Sequence, residues 1–437
     1  MAECTDKNQQ RKQWSSEPAF VFSMAAAAIG LGNIWRFPYM VGENGGAAFI
    51  LAYLLALVIV ALPIMMLEVG AGRLAQGSSV DTFRQAHKRW GALYGWLVVV
   101  LTLLITSYYL VITGWTLGYA VNSLAFRLAD FEQFTAGYNS LWYFLVTLGL
   151  ATLVLIKGVS AIEKFSKLLM PVLLLVIVLL VVVASQMDGW DKAKDFMLRA
   201  DLSMLKDERL WFFAFGQAFY TLAIGQGYLV TYGSYIPRKT HVPRACLIVA
   251  GTETTIALLA GWMIFPYVFT YGMDPGQGSE LAFNTLPEVF NRMQGGWLLA
   301  ILFFNLFFLA AFSSCLAGMK VVIAAVEEEF RMTSNQSVLA VALLIMFLGV
   351  PSALSFSPVQ LTVAGMPFLD FMDQFGGTNV VIASGIIGAG LFAWLVPRKK
   401  IHSSLSATSR WWELRILIIG RSLPFLAVIW LVWRMFF

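Results

Sequence analysis

Two of the apolar stretches in this chain are interrupted by the same five-residue phrase. Ala28-Ile29-Gly30-Leu31-Gly32 sits inside the first, and Ala223-Ile224-Gly225-Gln226-Gly227 inside another in the second half. Glycine disfavours a helix by about 1 kcal/mol relative to alanine. In hydrocarbon an interrupted helix also strands backbone groups that no water satisfies, so a break survives only where it is packed in protein or lines a cavity. Matching breaks in two halves point to the central site of a secondary transporter. Glycines that simply let membrane helices approach are the alternative; the duplication and its polar flanks weigh against it.

The rest of the chain has the composition such breaks require. Of 437 residues, 59% are hydrophobic and 13% charged, against roughly 25% charged in a soluble domain. Mean hydropathy is +0.73, and the alternation of a lipid-facing β-barrel is absent. The expectation is an all-α polytopic membrane protein. Stretches of bilayer-spanning length fall at 19–41, 46–68, 92–123, 141–157, 162–186, 209–234, 244–270, 296–327, 336–356, 367–397 and 414–436, eleven in all. The first is too long and too polar-punctuated for a cleaved signal, so it is expected to be retained.

Basic residues recur in alternate loops, at Lys7/Arg11/Lys12, Arg73/Arg84/Lys88/Arg89, Lys157/Lys164/Lys167, Arg238/Lys239/Arg244 and Arg398/Lys399/Lys400. The positive-inside rule then puts the N-terminus in the cytoplasm, and eleven spans put Phe437 outside. The net charge of +5 reads as a topology signal, not as affinity for nucleic acid. Spans one to five and six to ten form halves with an odd helix count, which forces opposite orientation: an inverted repeat. The boundaries are 14–186 for the first repeat, 205–398 for the second and 411–437 for an additional helix, all within a single transporter domain over 1–437. Cys4, Cys246 and Cys315 are scattered and support neither a disulfide framework nor a metal site. His87, His241 and His402 are isolated. No clustered nucleophile, base or metal-ligand set speaks for an enzyme.

In the first span, unwinding around Ala28–Gly32 frees the carbonyls of Ala26, Ala28 and Ile29, hard oxygen ligands suited to an alkali cation. The amides of Gly30, Leu31 and Gly32 open the next half-helix, where the dipole favours a carboxylate. Asn33 adds a side-chain oxygen at the same level. The run GLGNIWRFPY, followed by GENGGAAF and LPIMMLEVGAGR, resembles the signature of neurotransmitter:sodium symporters, the family that includes bacterial LeuT. The likeness extends from Arg11 to the tenth span.

The resemblance implies the LeuT fold, a five-plus-five inverted repeat with broken helices 1 and 6, and Na⁺-driven uptake of an amino acid or derivative at the plasma membrane. Carried over by motif, one sodium site uses the Ala28 carbonyl, Asn33, Thr221 and Glu253. A second uses the carbonyls of Ala26, Ile29 and Ala310 with the hydroxyls of Ser313 and Ser314. Serine bonding back to its own helix is the alternative for Ser313. The implied substrate-binding set is Ala28, Gly30, Gly32, Ile105, Tyr109, Tyr220, Thr221, Ala223, Gln226, Ser314 and Gly318. In it Tyr109 meets the substrate carboxylate and Tyr220 forms the lid, while Tyr108 reads as a core filler. Arg36 and Asp373 match an outer gate; Arg11, Trp14, Ser234, Tyr235 and Glu328 match an inner one.

Departures from the family pattern carry further expectations. Gly30 stands where amine-specific relatives carry Asp, so the substrate brings its own carboxylate. Glu253 stands at an Asn position, where a carboxylate either ligates sodium or supplies the negative charge chloride provides in other relatives; Tyr53, Gln217 and Thr221 match that anion site. Chloride independence follows. The alternative is a neutral Glu253 in a buried hydrogen-bond network. Gln226 replaces an aromatic residue, Ala223 a small hydroxyl residue and Gly318 a branched aliphatic. Together they suggest a roomier pocket with one extra polar contact, suited to a large or polar-tipped amino acid. Lys320 either pairs with Glu68 or snorkels toward the cytoplasmic vestibule. Arg421 reads as structural or oligomer-related. One or two sodium ions, a monomer or a homodimer, and proton coupling through Glu253 or Lys320 all remain open. A receptor that binds without transporting is disfavoured by the intact gate charges.

Overall fold

The computed structural model describes residues 13–126, 128–237, 239–276, 281–293, 295–405 and 410–436. Arg11 of the expected inner gate lies outside them, as do Lys7, Lys12, Arg238 and Phe437. Eight continuous helices are long and apolar enough to cross a membrane: Ala47–Ala75, Trp90–Leu124, Asn139–Ile156, Ser160–Ala184, Val242–Thr270, Gly296–Glu329, Ser334–Ala353 and Phe368–Leu395. Two more of the expected segments are helical as well, Glu208–Thr221 with Tyr228–Gly233 and Arg410–Phe436. A short antiparallel ribbon, Thr362–Val363 against Met366–Pro367, is the β structure among the described residues.

The first span is a bent pair, Glu17–Ala28 and Gly32–Glu43, turned by 52°. Its start is encoded locally. Ser16 Oγ accepts the Ala19 amide at 3.2 Å, and Pro18 occupies the first turn, where a missing N–H costs nothing. The helix stops at Ile29, whose backbone is extended (φ −79°, ψ 110°). It restarts through a wide π-type turn over Gly32–Arg36. The sixth segment stops differently. Asp207 caps Glu208–Thr221 by accepting the Arg209 amide at 2.9 Å. After Thr221 the chain passes through Ala223, Gly225 and Gly227 at φ 53°, 75° and 74°, the left-handed region that glycine enters without steric cost.

Helices are unequally buried. Of the most apolar window of Trp90–Leu124, 78% is buried, against 33% for both Asn139–Ile156 and Ser160–Ala184. The former therefore stands inside the bundle and the latter two present most of their surface to lipid. Gly296–Glu329 packs along Trp90–Leu124, and the two breaks lie against this central pair. Lys320 turns away from Glu68: its Nζ donates to Glu327 Oε2 at 3.3 Å, toward the end of its own helix. Of the two expected readings, the Glu68 pairing is not formed: the long flexible stem carries the ammonium of the still-buried Lys320 to a partner two turns along. Arg421 ties the last helix to its neighbour, donating to the Ala393 carbonyl at 3.1 Å and lying over the Trp394 ring at 5.6 Å.

Candidate functional site

At the first break the carbonyls released by the missing helical turns face Gly296–Glu329. Ser313 Oγ donates to the Ala26 carbonyl at 2.6 Å and to its own helix at Ala310 at 2.8 Å. Ser314 Oγ donates to the carbonyls of Ala27 and Ile29 at 3.0 and 3.3 Å. All five ligands expected for the second sodium site thus converge, with the Ala27 carbonyl added. These are hard, neutral oxygens held by two rigid helices, a donor set that suits an alkali cation. The single proton of Ser313 Oγ is shared between the acceptor on the broken helix and the one on its own turn.

Glu253, on Val242–Thr270, is fully buried. Its carboxylate accepts from Thr221 Oγ1 and from Asn33 Nδ2. Tyr53 Oη and Thr254 Oγ1 approach the other oxygen at 3.5 and 3.4 Å. Asn33 Oδ1 in turn accepts the Gly30 amide at 3.4 Å. Asn33, Thr221 and Glu253 are thereby brought together, and Tyr53 joins them as expected of the anion-site residues. Gln217 does not. It accepts from Arg36 Nη1 at 2.8 Å and donates to the Gly32 carbonyl at 2.9 Å, so both ends of its amide are taken by the buried guanidinium and the freed carbonyl.

Between the two oxygen clusters, the Leu31 amide donates to Tyr109 Oη at 2.8 Å. A Cβ at Gly30 would stand 2.3 Å from both Tyr109 Oη and Ser314 Oγ, so the hydroxyls occupy the space a side chain would fill. Tyr220 covers Gly32, with ring atoms 3.2 Å from where its Cβ would lie. The Arg36 guanidinium lies 4.7 Å from the Tyr220 ring centroid. Asp373 accepts from Tyr108 Oη at 2.9 Å, so Tyr108 is more than a core filler. A cavity of about 440 Å³ lined by Trp35, Tyr39, Trp115 and Asp373 opens on this side. On the opposite side Trp14 is buried: its amide donates to Tyr235 at 2.9 Å and its indole to Tyr232 at 3.2 Å. Glu328 accepts the Ser78 amide at 2.7 Å, and Ser234 Oγ bonds back to Thr231 at 2.7 Å.

The second break is clamped through its backbone. Glu68 Oε1 accepts the Gly225 amide at 2.9 Å, Ser384 Oγ donates to the Gly225 carbonyl at 2.7 Å, and Thr102 Oγ1 donates to the Gln226 carbonyl at 2.5 Å. Ile105, Ala223 and Gln226 are buried here. The room expected at Gly318 is taken: a Cβ there would lie 2.5 Å from Thr106 Oγ1 and from Tyr228 Oη. Thr102, Ser384, Thr106 and Tyr228 were not anticipated. For two of them a signal exists, since Thr102, Thr106, Tyr109 and Thr113 recur at helical spacing within an apolar span.

Paired broken helices, packed on a central helix pair and lined by convergent oxygens, define a membrane transporter of the broken-helix class. A sequence profile of the sodium:neurotransmitter symporter family matches residues 11–141 and 130–429. An uncharacterized sodium-dependent transporter of Bacillus subtilis, YhdH, is 34% identical over 92% of this chain and 91% of its own length. A Haemophilus influenzae counterpart is 31% identical over 92% and 93%. The crystal structure of MhsT in complex with L-phenylalanine superposes with a TM-score of 0.89 at 32% identity, covering 96% of this chain and 98% of that one. The chain belongs to the sodium:neurotransmitter symporter family and has the LeuT fold. It is a multi-pass membrane transporter of a small molecule, not an enzyme, and Na⁺ is its coupling ion.

Proposed function

We propose that this protein imports an amino acid across the plasma membrane together with Na⁺, by alternating access around the two breaks, and that it does so without chloride. The observation that carries this is the placement of the Leu31 amide and Tyr109 Oη, 2.8 Å apart, between the oxygen clusters at Ser313/Ser314 and at Glu253. An amide at a half-helix start and a phenol are suited to a carboxylate, and Gly30 offers no side-chain carboxylate of its own. MhsT in complex with L-phenylalanine and a human relative named for neutral and basic amino acids, 25% identical, support the substrate class.

In this scheme the clusters bind one Na⁺ each. Ala28, Asn33, Thr221 and Glu253 hold the first, and Ala26, Ile29, Ala310, Ser313 and Ser314 the second. A cation that fixes the freed carbonyls also fixes the amides that meet the substrate, so each ligand lowers the cost of binding the other. Glu253 supplies a resident negative charge beside Tyr53 and Thr221, which is the ground for chloride independence. Trp14, Ser234, Tyr235 and Glu328 form the inner gate, and Arg36 and Asp373 the outer. The N-terminus is cytoplasmic and the C-terminus outside, with inverted repeats at 14–186 and 205–398 and an additional helix at 411–437. Uptake of an amino-acid panel into proteoliposomes, with Na⁺ gradients and with gluconate replacing chloride, tests both parts. Uptake that ignores Na⁺ overturns the coupling, and uptake that stops in gluconate overturns the role given to Glu253.

A further inference from the structure

Three consecutive carboxylates end the helix Gly296–Glu329, and each has its own partner. Glu328 accepts the Ser78 amide at 2.7 Å, Glu329 accepts from Arg84 Nη1 at 2.8 Å, and Glu327 accepts from Lys320 Nζ at 3.3 Å. The first two tie down the short helix Ser79–Ala86, which Ser78 caps and Arg84 belongs to. The third pair is made within one helix, with side chains only 10% and 23% exposed. An ion pair at such burial is weak evidence for stability, because desolvation offsets most of its attraction. An ionisable residue inside a membrane span points to function instead.

The position of the pair gives it a role. Ser313, Lys320 and Glu327 follow at intervals of seven, so they share one stripe of the helix, drifting by about 20° per step. Contacts at its upper end show what the stripe faces. The Ser313 hydroxyl meets the Ala26 carbonyl at 2.6 Å, and the neighbouring Phe312 meets Phe165 of Ser160–Ala184 with ring centroids 5.9 Å apart. Lys320 therefore stands about 10–11 Å along the axis from Ser313 and the second oxygen cluster. It lies on the side closed by Trp14, given above to the cytoplasm. Side chains on a helix lean toward its N-terminus, so an unrestrained Lys320 stem would lean toward Ser313. Glu327 draws the ammonium the opposite way.

We infer that this pair sets how tightly the second cluster holds Na⁺. The Lys320 ammonium opposes a cation at Ser313, and the Glu327 carboxylate restrains the ammonium. Lys320 is thus a positioning residue for Na⁺ binding and release, not a ligand. Removing one member leaves an uncompensated unit charge two turns from the cluster, enough to change cation affinity about fivefold. The inference rests on the two-cluster Na⁺ scheme proposed above.

The test measures the half-saturating Na⁺ concentration of the full chain twice: by equilibrium binding of radiolabelled Na⁺ to purified protein, and by amino-acid uptake into proteoliposomes. Lys320→Met should lower it about fivefold, and Glu327→Gln should raise it about fivefold. Lys320→Arg, and the double variant lacking both charges, should stay near the wild type. A pair that only supports the fold would move both single variants in the same direction, or neither. Such a result, with uptake still driven by Na⁺, overturns the inference and leaves the proposed function standing. Should Lys320→Met fail to fold, Lys320→Gln, which keeps a donor for Glu327, carries the same expectation. Wild-type uptake that ignores Na⁺ removes the two-cluster scheme and this inference with it.

Discussion

The two breaks are written with nearly the same letters and held open by different physics. At Ala28–Gly32 the backbone never enters the left-handed region. Glycine is needed there for space, because the Tyr109 and Ser314 hydroxyls stand where the Gly30 Cβ would be. The carbonyls of Ala26, Ala27 and Ile29 are met by serine hydroxyls, groups that an ion can displace. At Ala223–Gly227 glycine is needed for conformation, at φ 75° and 74°. The backbone groups there are taken by Glu68, Ser384 and Thr102, from three other spans. One break therefore presents loosely held oxygens and the other is fastened to its surroundings. Equal glycine spacing does not imply equal function.

Alanine scanning of the glycines separates the two cases. Gly30→Ala forces a methyl into both hydroxyls, and overpacking at this density costs about 1–3 kcal/mol. Because that strain falls on the substrate and ion ligands, Na⁺-driven uptake per transporter should drop about 100-fold, with a smaller change in thermal midpoint in detergent than at Gly225. Uptake near the wild-type level would show that the close approach is not maintained. Gly225→Ala adds a left-handed penalty of about 1–2 kcal/mol to a contact 2.5 Å from the Gly385 amide nitrogen. Its main expected effect is lost stability of about 2–3 kcal/mol, read as a lower melting temperature. An unchanged melt would remove the conformational reason given for that glycine.

The clamp itself gives a graded test. Glu68→Ala leaves the Gly225 amide buried and without an acceptor, at about 1–3 kcal/mol, whereas Glu68→Gln keeps an oxygen for it. The carboxamide variant should melt near the wild type and the alanine variant well below. Equal melting of the two would mean that charge, not the hydrogen bond, is what Glu68 contributes.

The breaks, the helical class and the oxygen-rich first break were legible because they rest on local chemistry: glycine pairs, apolar length, and serines at adjacent positions on one span. What was not legible depended on which spans touch. Nothing in Glu68 or Lys320 alone says that one would cap Gly225 and the other reach Glu327. The sequence suggested room at Gly318, since it reports only the missing side chain and not the Tyr228 hydroxyl that fills its place. Thr102 and Thr106 stood in plain helical register with Tyr109, and a polar stripe in an apolar span is the one missed signal that periodicity carries. Ser384, flanked by small residues, offered none.

The smallest effect tests the looser break. Ser313→Ala removes one hydroxyl from the oxygen cluster but leaves the carbonyls of Ala26, Ile29 and Ala310 in place. If that hydroxyl ligates Na⁺, the half-saturating Na⁺ concentration for uptake should rise about tenfold, equivalent to about 1.4 kcal/mol. By linkage, the apparent affinity for the amino acid should fall when Na⁺ is subsaturating and recover when it is saturating. If Ser313 only closes the turn with Ala310, at 2.8 Å, neither quantity moves. Ser313 Oγ has one proton and lies within reach of both acceptors, and only the contact with Ala26, at 2.6 Å, crosses to the broken helix. Na⁺ dependence unchanged in Ser313→Ala would place the fastening of the first break on Ser314 alone, and the contrast between a displaceable and a clamped break would narrow to a single side chain.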